Sequence, residues 1–234
     1  MRGSAVPTEK NLLVALDTAA DIAGVALLED GALLSETTWR AHQSHSRDLL
    51  PALDWLLSRH GRTKDDIAAV CVCLGPGSYA GLRVGVSTAK ALAYALDVPL
   101  AGVNRLEADA FFVAEASGAR VIALQAAGRA ELAWAAYGAF GHDLRELIAP
   151  RLDPVEALLA IVAEGDVITG EAKAFENGLS EALAAKGARI VEAPATRVLA
   201  IATLGAQRIA RGQIDNPDTL VPLYLRAPAI GPKR

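Results

Sequence analysis

The chain has 234 residues, 52% of them hydrophobic, enough for one large domain or two lobes with buried cores. Its 23 basic and 27 acidic residues leave a net charge of −4, with no run of like charge beyond the tail Pro232-Lys233-Arg234. This balance argues against a protein that grips nucleic acid through its own clustered cations. No stretch approaches the roughly 18 apolar residues of a membrane span, and the first ten residues lack the apolar core of a signal peptide, so a cytoplasmic protein with no membrane partner is expected.

Three short β-rich runs open the chain, at 11–17, 23–28 and 32–37, with the hairpin signal Asp30-Gly31 between the second and third. A helix follows, its apolar stripe set by Leu49, Leu50, Leu53, Leu56 and Leu57. Pro51 fits a start at Asp48, since a proline in the first turn removes a donor that has no intrahelical partner. Ser46 or Asp48 would cap it, and His60-Gly61 would stop it.

The apolar run 67–74 reads as a buried strand that carries Cys71 and Cys73 as packed thiols. Next come a glycine-rich turn over 75–81, a long helix to about Leu96 and a strand at 99–103. Beyond Asn104 helices are expected at 106–116, 154–163, 174–186 and 198–212, and strands at 121–124, 131–137 and 166–169. Two α/β lobes result, 1–104 and 105–234, with the tail 217–234 able to pack back on the first.

The turn Gly75-Pro76-Gly77-Ser78-Tyr79-Ala80-Gly81-Leu82-Arg83 can present backbone N–H groups to an anion. It is no P-loop, because Gly81 is followed by Leu82 and Arg83 rather than Lys-Ser/Thr. Gly75, Gly77 and Ala80 match G-x-G-x-x-A, but Asp97 precedes the following strand, where a ribose-binding acid should end it. Gly81, Gly85, Ala89 and Ala93 recur every four residues, a small-residue ridge for close packing inside the molecule or against another subunit.

The run GPGSYAGLRVGVSTAKALAYALDVPLAGVNRLEADA from Gly75 to Ala110 resembles the TsaB (YeaZ) family of tRNA threonylcarbamoyladenosine biosynthesis proteins, paralogues of the catalytic TsaD enzymes. LLVALDTA at 12–19, HSRDLLPAL at 45–53, VITGE at 167–171 and PLYLRAPAI at 222–230 agree with it, in order along the whole chain. The family's D-A-R-x-G-E-V-Y segment corresponds to Ala126-Ala127-Gly128-Arg129-Ala130-Glu131-Leu132-Ala133, where Ala126 replaces the leading acid.

The resemblance implies a two-lobed actin-like ATPase fold (ASKHA, ribonuclease H-like), with mixed sheets flanked by helices. The catalytic paralogues hold a metal with an H-x-x-x-H pair just after the second helix. Arg105 and Asp109 stand at those positions here. Arginine stays protonated and does not ligate a cation, so no metal and no catalytic residue are expected, and an Arg105–Asp109 surface ion pair is expected instead. His42 and His45 lack a third ligand nearby, and His60 and His142 read as solvated.

The resemblance also implies a non-catalytic subunit required for N6-threonylcarbamoylation of the adenosine next to the anticodon in tRNAs that read ANN codons. It would pair with TsaD, be joined by the ATPase TsaE, form a homodimer when alone and meet tRNA through the complex. Ser46, Leu50, Leu53, Leu57, Arg83, Val86, Ala89, Lys90 and Ala93 are the expected partner interface. The chain would have no cofactor of its own, with ATP or ADP bound in the assembled complex and a weak nucleotide contact at Asp17, Thr18, Gly75, Gly77 and Ser78. The competing reading is a metallopeptidase-like or ATP-dependent enzyme of the same fold.

Overall fold

The structure, a computed structural model, describes residues 11–42, 44–128, 131–141, 143–170, 178–194 and 196–225. Arg129, His142, Glu171, the start of the helix expected at 174–186 and most of the 222–230 segment lie outside the described residues. The chain divides into two compact units, one formed by 1–103 with 196–222, the other by 104–195 with 223–234.

In the first unit the opening meander forms as β1 (Leu12–Asp17), β2 (Ile22–Glu29) and β3 (Ala32–Arg40), antiparallel neighbours in turn. Asp30 and Gly31 both take the left-handed conformation that a two-residue hairpin needs, with φ of 52° and 81°. β4 (Ile67–Gly75) pairs parallel with β1, and β5 (Leu100–Asn104) completes the order β3-β2-β1-β4-β5.

Helices α1 (His45–Arg59) and α2 (Tyr79–Leu96) supply one apolar layer. Leu49, Leu53, Leu56 and Leu57 join Val86, Ala89 and Ala93 over Val14, Leu16, Val70 and Val72 in one core. A large aliphatic side chain buried in this way contributes about 1.5–3 kcal/mol. α1 begins three residues earlier than Asp48, so Pro51 lies in the helix interior. It is exposed there, where water can serve the carbonyl that its missing N–H leaves unpaired.

The expected second lobe, 105–234, needs correction. Its last helix, α6 (Val198–Ala210), packs against β1, β2 and β4 and belongs to the first unit. Alternation along β4 explains why it fits. Val70 and Val72 face the α1/α2 core, while a Cβ on Gly205 of α6 would lie 2.2 Å from Cys71 Sγ. Cys71 and Cys73 are both buried free thiols, and burial pushes the Cys71 thiol up to about 12.

The second unit begins with α3 (Arg105–Ser117), capped by Asn104, whose side chain accepts from Leu106 N at 2.8 Å. β6 (Val121–Ala126), β7 (Glu131–Phe140), β8 (Asp143–Pro154), β9 (Val167–Gly170) and β10 (Arg189–Glu192) form a mixed sheet in the order β10-β9-β6-β7-β8. α4 (Val155–Ile161) and α5 (Leu179–Ala185) pack on one face of it, with Ile122, Leu124 and Ile168, and α3 packs on the other, with Val121, Ala123 and Val167. β8 was not expected from its sequence. It is an edge strand whose exposed Arg145, Glu146 and Arg151 and whose Pro150 and Pro154 are edge-protecting residues that mask a strand signal. Among the described residues no helix is long and apolar enough to cross a membrane.

Candidate functional site

The residues expected to touch nucleotide lie where β1 ends and α2 begins, and Asp17, Thr18 and Ser78 are engaged there with Arg197, Ala19 and Gly81. Asp17 is 2% exposed. Its Oδ2 meets Arg197 Nε at 3.1 Å and Nη2 at 3.0 Å, and its Oδ1 accepts from Ala19 N at 2.9 Å. The fully buried Thr18 donates its hydroxyl proton to Gly81 O at 2.7 Å.

Three small residues one helical turn apart let the Thr18-Ala19 loop lie against α2. A Cβ at Gly77 would be 2.2 Å from Ala19 O, one at Gly81 2.1 Å from Thr18 O, and one at Gly85 2.3 Å from Thr18 Oγ1. Ser78 N donates to Ala19 O at 2.8 Å, and Ser78 Oγ caps α2 by accepting from Gly81 N at 3.3 Å. Gly75, at φ 95° before the cis Pro76, completes the turn. The Asp17 carboxylate and the Ser78 N–H, two groups of the expected nucleotide contact, thus have partners within the unit. Arg197 is the residue that sequence reasoning missed. It lies 180 positions from Asp17, and no local spacing signals the pair.

The Arg105–Asp109 pair forms, but it is buried rather than on the surface. The side chains are each 1% exposed, with Nε–Oδ2 at 3.7 Å on consecutive turns of α3. A guanidinium within a buried ion pair does not suit a divalent cation, because it supplies positive charge where a ligand lone pair is needed. Removing one partner of such a pair costs about 3–5 kcal/mol, far above the few tenths of a surface pair. His42 is exposed at φ 41° while His45 is buried against the first turn of α2, so the H-x-x-H spacing brings no ligand pair together. His45 Nδ1 has no hydrogen-bond partner among the described residues.

The expected partner interface divides in two. Leu53, Leu57, Val86, Ala89 and Ala93 are buried in the core of the first unit. These five side chains are covered by the unit's own packing. Lys90 is half-buried, its Nζ donating to Leu220 O at 3.1 Å. Ser46, Leu50 and Arg83 remain on the surface of α1 and α2, which pack side by side. Leu50 is 52% exposed, and Arg83 stacks over Tyr79 at 5.4 Å. Beside them, at the start of α1, hydrogen bonds from Ser44 and Arg47 hold the Asp48 carboxyl below its ordinary value.

Comparison with known proteins agrees with this architecture. Residues 39–231 match the family model described as TsaD, tRNA N6-adenosine threonylcarbamoyltransferase. The chain is 37% identical over 95 residues to the tRNA threonylcarbamoyladenosine biosynthesis protein TsaB of Bacillus subtilis and 34% identical over 131 residues to that of Escherichia coli. These alignments cover 41% and 53% of the chain, and 42% and 54% of those proteins, so the matched region spans about half the length of these relatives. An uncharacterized protein of Mycobacterium tuberculosis is 31% identical over 226 residues, 94% of each chain.

A crystal structure from Pseudomonas aeruginosa, of an uncharacterized protein with similarity to peptidase YEAZ, superposes with a TM-score of 0.80 at 25% identity. It covers 92% of this chain and 100% of that one. A ROK-family protein of Streptococcus pneumoniae, at 9% identity, a TM-score of 0.51 and coverage of 86% and 99%, shares the fold alone. Two mixed sheets flanked by helices are therefore the actin-like architecture. With a family model matched over most of its length and TsaB/YeaZ proteins among its relatives, the chain belongs to the TsaD family of tRNA N6-adenosine threonylcarbamoyltransferases, on its TsaB/YeaZ branch.

Proposed function

We propose that this chain is a non-catalytic subunit in the N6-threonylcarbamoylation of tRNA adenosine next to the anticodon, acting by pairing with a TsaD paralogue through the exposed face of α1 and α2. The observation that carries the reading is Leu50, a large aliphatic side chain 52% exposed on a helix whose other leucines are buried. Ser46 and Arg83 share that surface. The buried Arg105–Asp109 pair supports a subunit without metal chemistry of its own. The ATPase TsaE joins the pair, ATP or ADP belongs to the assembled complex, tRNA is met through that complex, and the chain alone pairs with itself. The setting is the cytoplasm.

Reconstitution tests this. Purified TsaD paralogue, TsaE and the other accessory proteins are incubated with tRNA, with and without this chain. Modified tRNA should fall at least tenfold without it, and equal product in its absence would overturn the role. Leu50→Arg should abolish co-purification with the paralogue while leaving the circular dichroism spectrum unchanged. An intact complex would sink the interface but not the role. Val86→Arg is unsuited to this test, because Val86 is 3% exposed and a charge there unfolds the unit.

A further inference from the structure

The far end of α2 carries a feature that pairing through Leu50 does not use. Asp97 follows the helix in the left-handed conformation, at φ 52°, with its N–H bonded to Ala93 O. Glycine is the residue such a position favours, because a Cβ is strained there. A carboxylate also stands against the negative end of the helix dipole, and no basic residue lies in the last turn to offset it. Folding therefore disfavours Asp97 on two separate grounds, which directs attention to what its charge faces.

It faces an open groove of ≈ 690 Å³ within the first unit, with Tyr94, Val98, Ile214 and Pro217 among its walls. Tyr94 is 78% exposed and Ile214 59%, so aromatic and aliphatic surface is presented to solvent. The second carboxylate of the groove, Asp215, is fixed by backbone. Its N–H donates to Leu100 O at 2.8 Å, and its Oδ2 accepts from Gly102 N at 2.7 Å. Among the described residues the lining holds these two acids and no cationic side chain, while Arg208, outside the lining, donates to Gly102 O.

We propose that this groove docks a segment of a partner protein in which a lysine or arginine is flanked by aliphatic side chains. The cation faces Asp97 and Asp215, and the aliphatic groups cover Tyr94 and Ile214. The occupant is identified by charge complementarity: two carboxylates in an apolar wall, with no cation among its described residues, repel a phosphate backbone and favour a basic, apolar peptide.

The probe is the peptide acetyl-Leu-Lys-Ile-Arg-Leu-amide, titrated into the isotope-labelled full chain and followed by amide chemical shifts. Its counterpart carries norleucine and citrulline in place of Lys and Arg. Saturable shifts confined to 93–100 and 214–217 are expected, with binding about fivefold weaker for the neutral peptide and for Asp97→Asn, as exposed charge pairs give. Asp97→Gly should weaken binding equally with an unchanged or higher unfolding temperature. Leu50→Arg should leave peptide binding unaltered, so this inference and the pairing role fail separately.

Equal binding of both peptides, wild-type binding by Asp97→Asn, or a lower unfolding temperature for Asp97→Gly would overturn the proposal. So would concentration-dependent shifts at the groove without peptide, which would make the occupant a second copy. Tighter peptide binding after removal of residues 1–10 would do the same, by making it the chain's own amino-terminal segment.

Discussion

Single residues here are decided by what surrounds them more than by their type. Arg105 and Asp109 carry a spacing that suits an exposed helix, yet the fold buries both. Asp166, by contrast, has its partner elsewhere. It is 5% exposed, and Arg120 holds it with Nε–Oδ1 at 2.8 Å and Nη2–Oδ2 at 2.5 Å, while Ala163 N donates to Oδ2 at 2.8 Å. Burial raises this carboxyl, but the hydrogen bonds and the Arg120 charge outweigh it and leave it lowered. A carboxyl depressed in the folded state stabilises that state fully above its unfolded value, near pH 4, and the gain is lost as pH falls through the folded value. The second unit should therefore lose stability as pH falls below about 4. Asp166→Asn should remove most of this dependence and cost about 1.5 kcal/mol at neutral pH, since Arg120 keeps part of its hydration. Chemical denaturation at pH 7 and at pH 3 checks both. An unchanged acid limb in the variant would remove Asp166 as the cause.

At the scale of elements, the glycines of α2 show how one pattern admits two readings. The period of four at Gly81, Gly85, Ala89 and Ala93 marks a close approach but does not say to what. The structure answers with the Thr18-Ala19 loop and the helix layer of the same unit. Gly81→Ala tests it. In an isolated helix the change stabilises by about 1 kcal/mol, but here the new methyl would lie 2.1 Å from Thr18 O, a backbone atom without an alternative rotamer. The loop must move, and a net loss of about 1–3 kcal/mol is expected in urea unfolding. A gain would mean that the loop yields freely. The same reasoning explains why β8 escaped sequence reading and the opening meander did not. Asp30-Gly31 between apolar runs is a strong local signal, whereas an edge strand is built from the charges and prolines that argue against strand.

For the whole molecule, what was legible followed sequence distance. The glycine turn, the helix after it and the junction near Asn104 are local, and their residues carry them. The return of α6 to the first unit depends on Gly205 meeting Cys71 and on Arg197 meeting Asp17, contacts between positions far apart that no spacing announces. The expected interface residues divide between core and surface for a related reason, since an apolar stripe looks the same whether it faces a partner or the chain's own sheet. Leu50 separates the two only once burial is known. A fragment ending at Val103 should therefore not fold. It would expose the α6 side of the sheet, including Cys71, and leave the Asp17 carboxylate without its guanidinium. Dispersed amide resonances from that fragment would contradict this, and adding residues 196–222 through a short linker should restore them.

The placement of α6 also imposes an order on biosynthesis. On a ribosome the strands and helices of the first unit up to β5 emerge early, but the segment that covers the far face of their sheet is made only after residues 104–195 of the second unit. Until then an apolar sheet face and a buried-to-be acid remain open to water. The nascent chain must carry that incomplete half through the synthesis of the other, so a translational pause before Thr196 would prolong its exposure to chaperones and proteases.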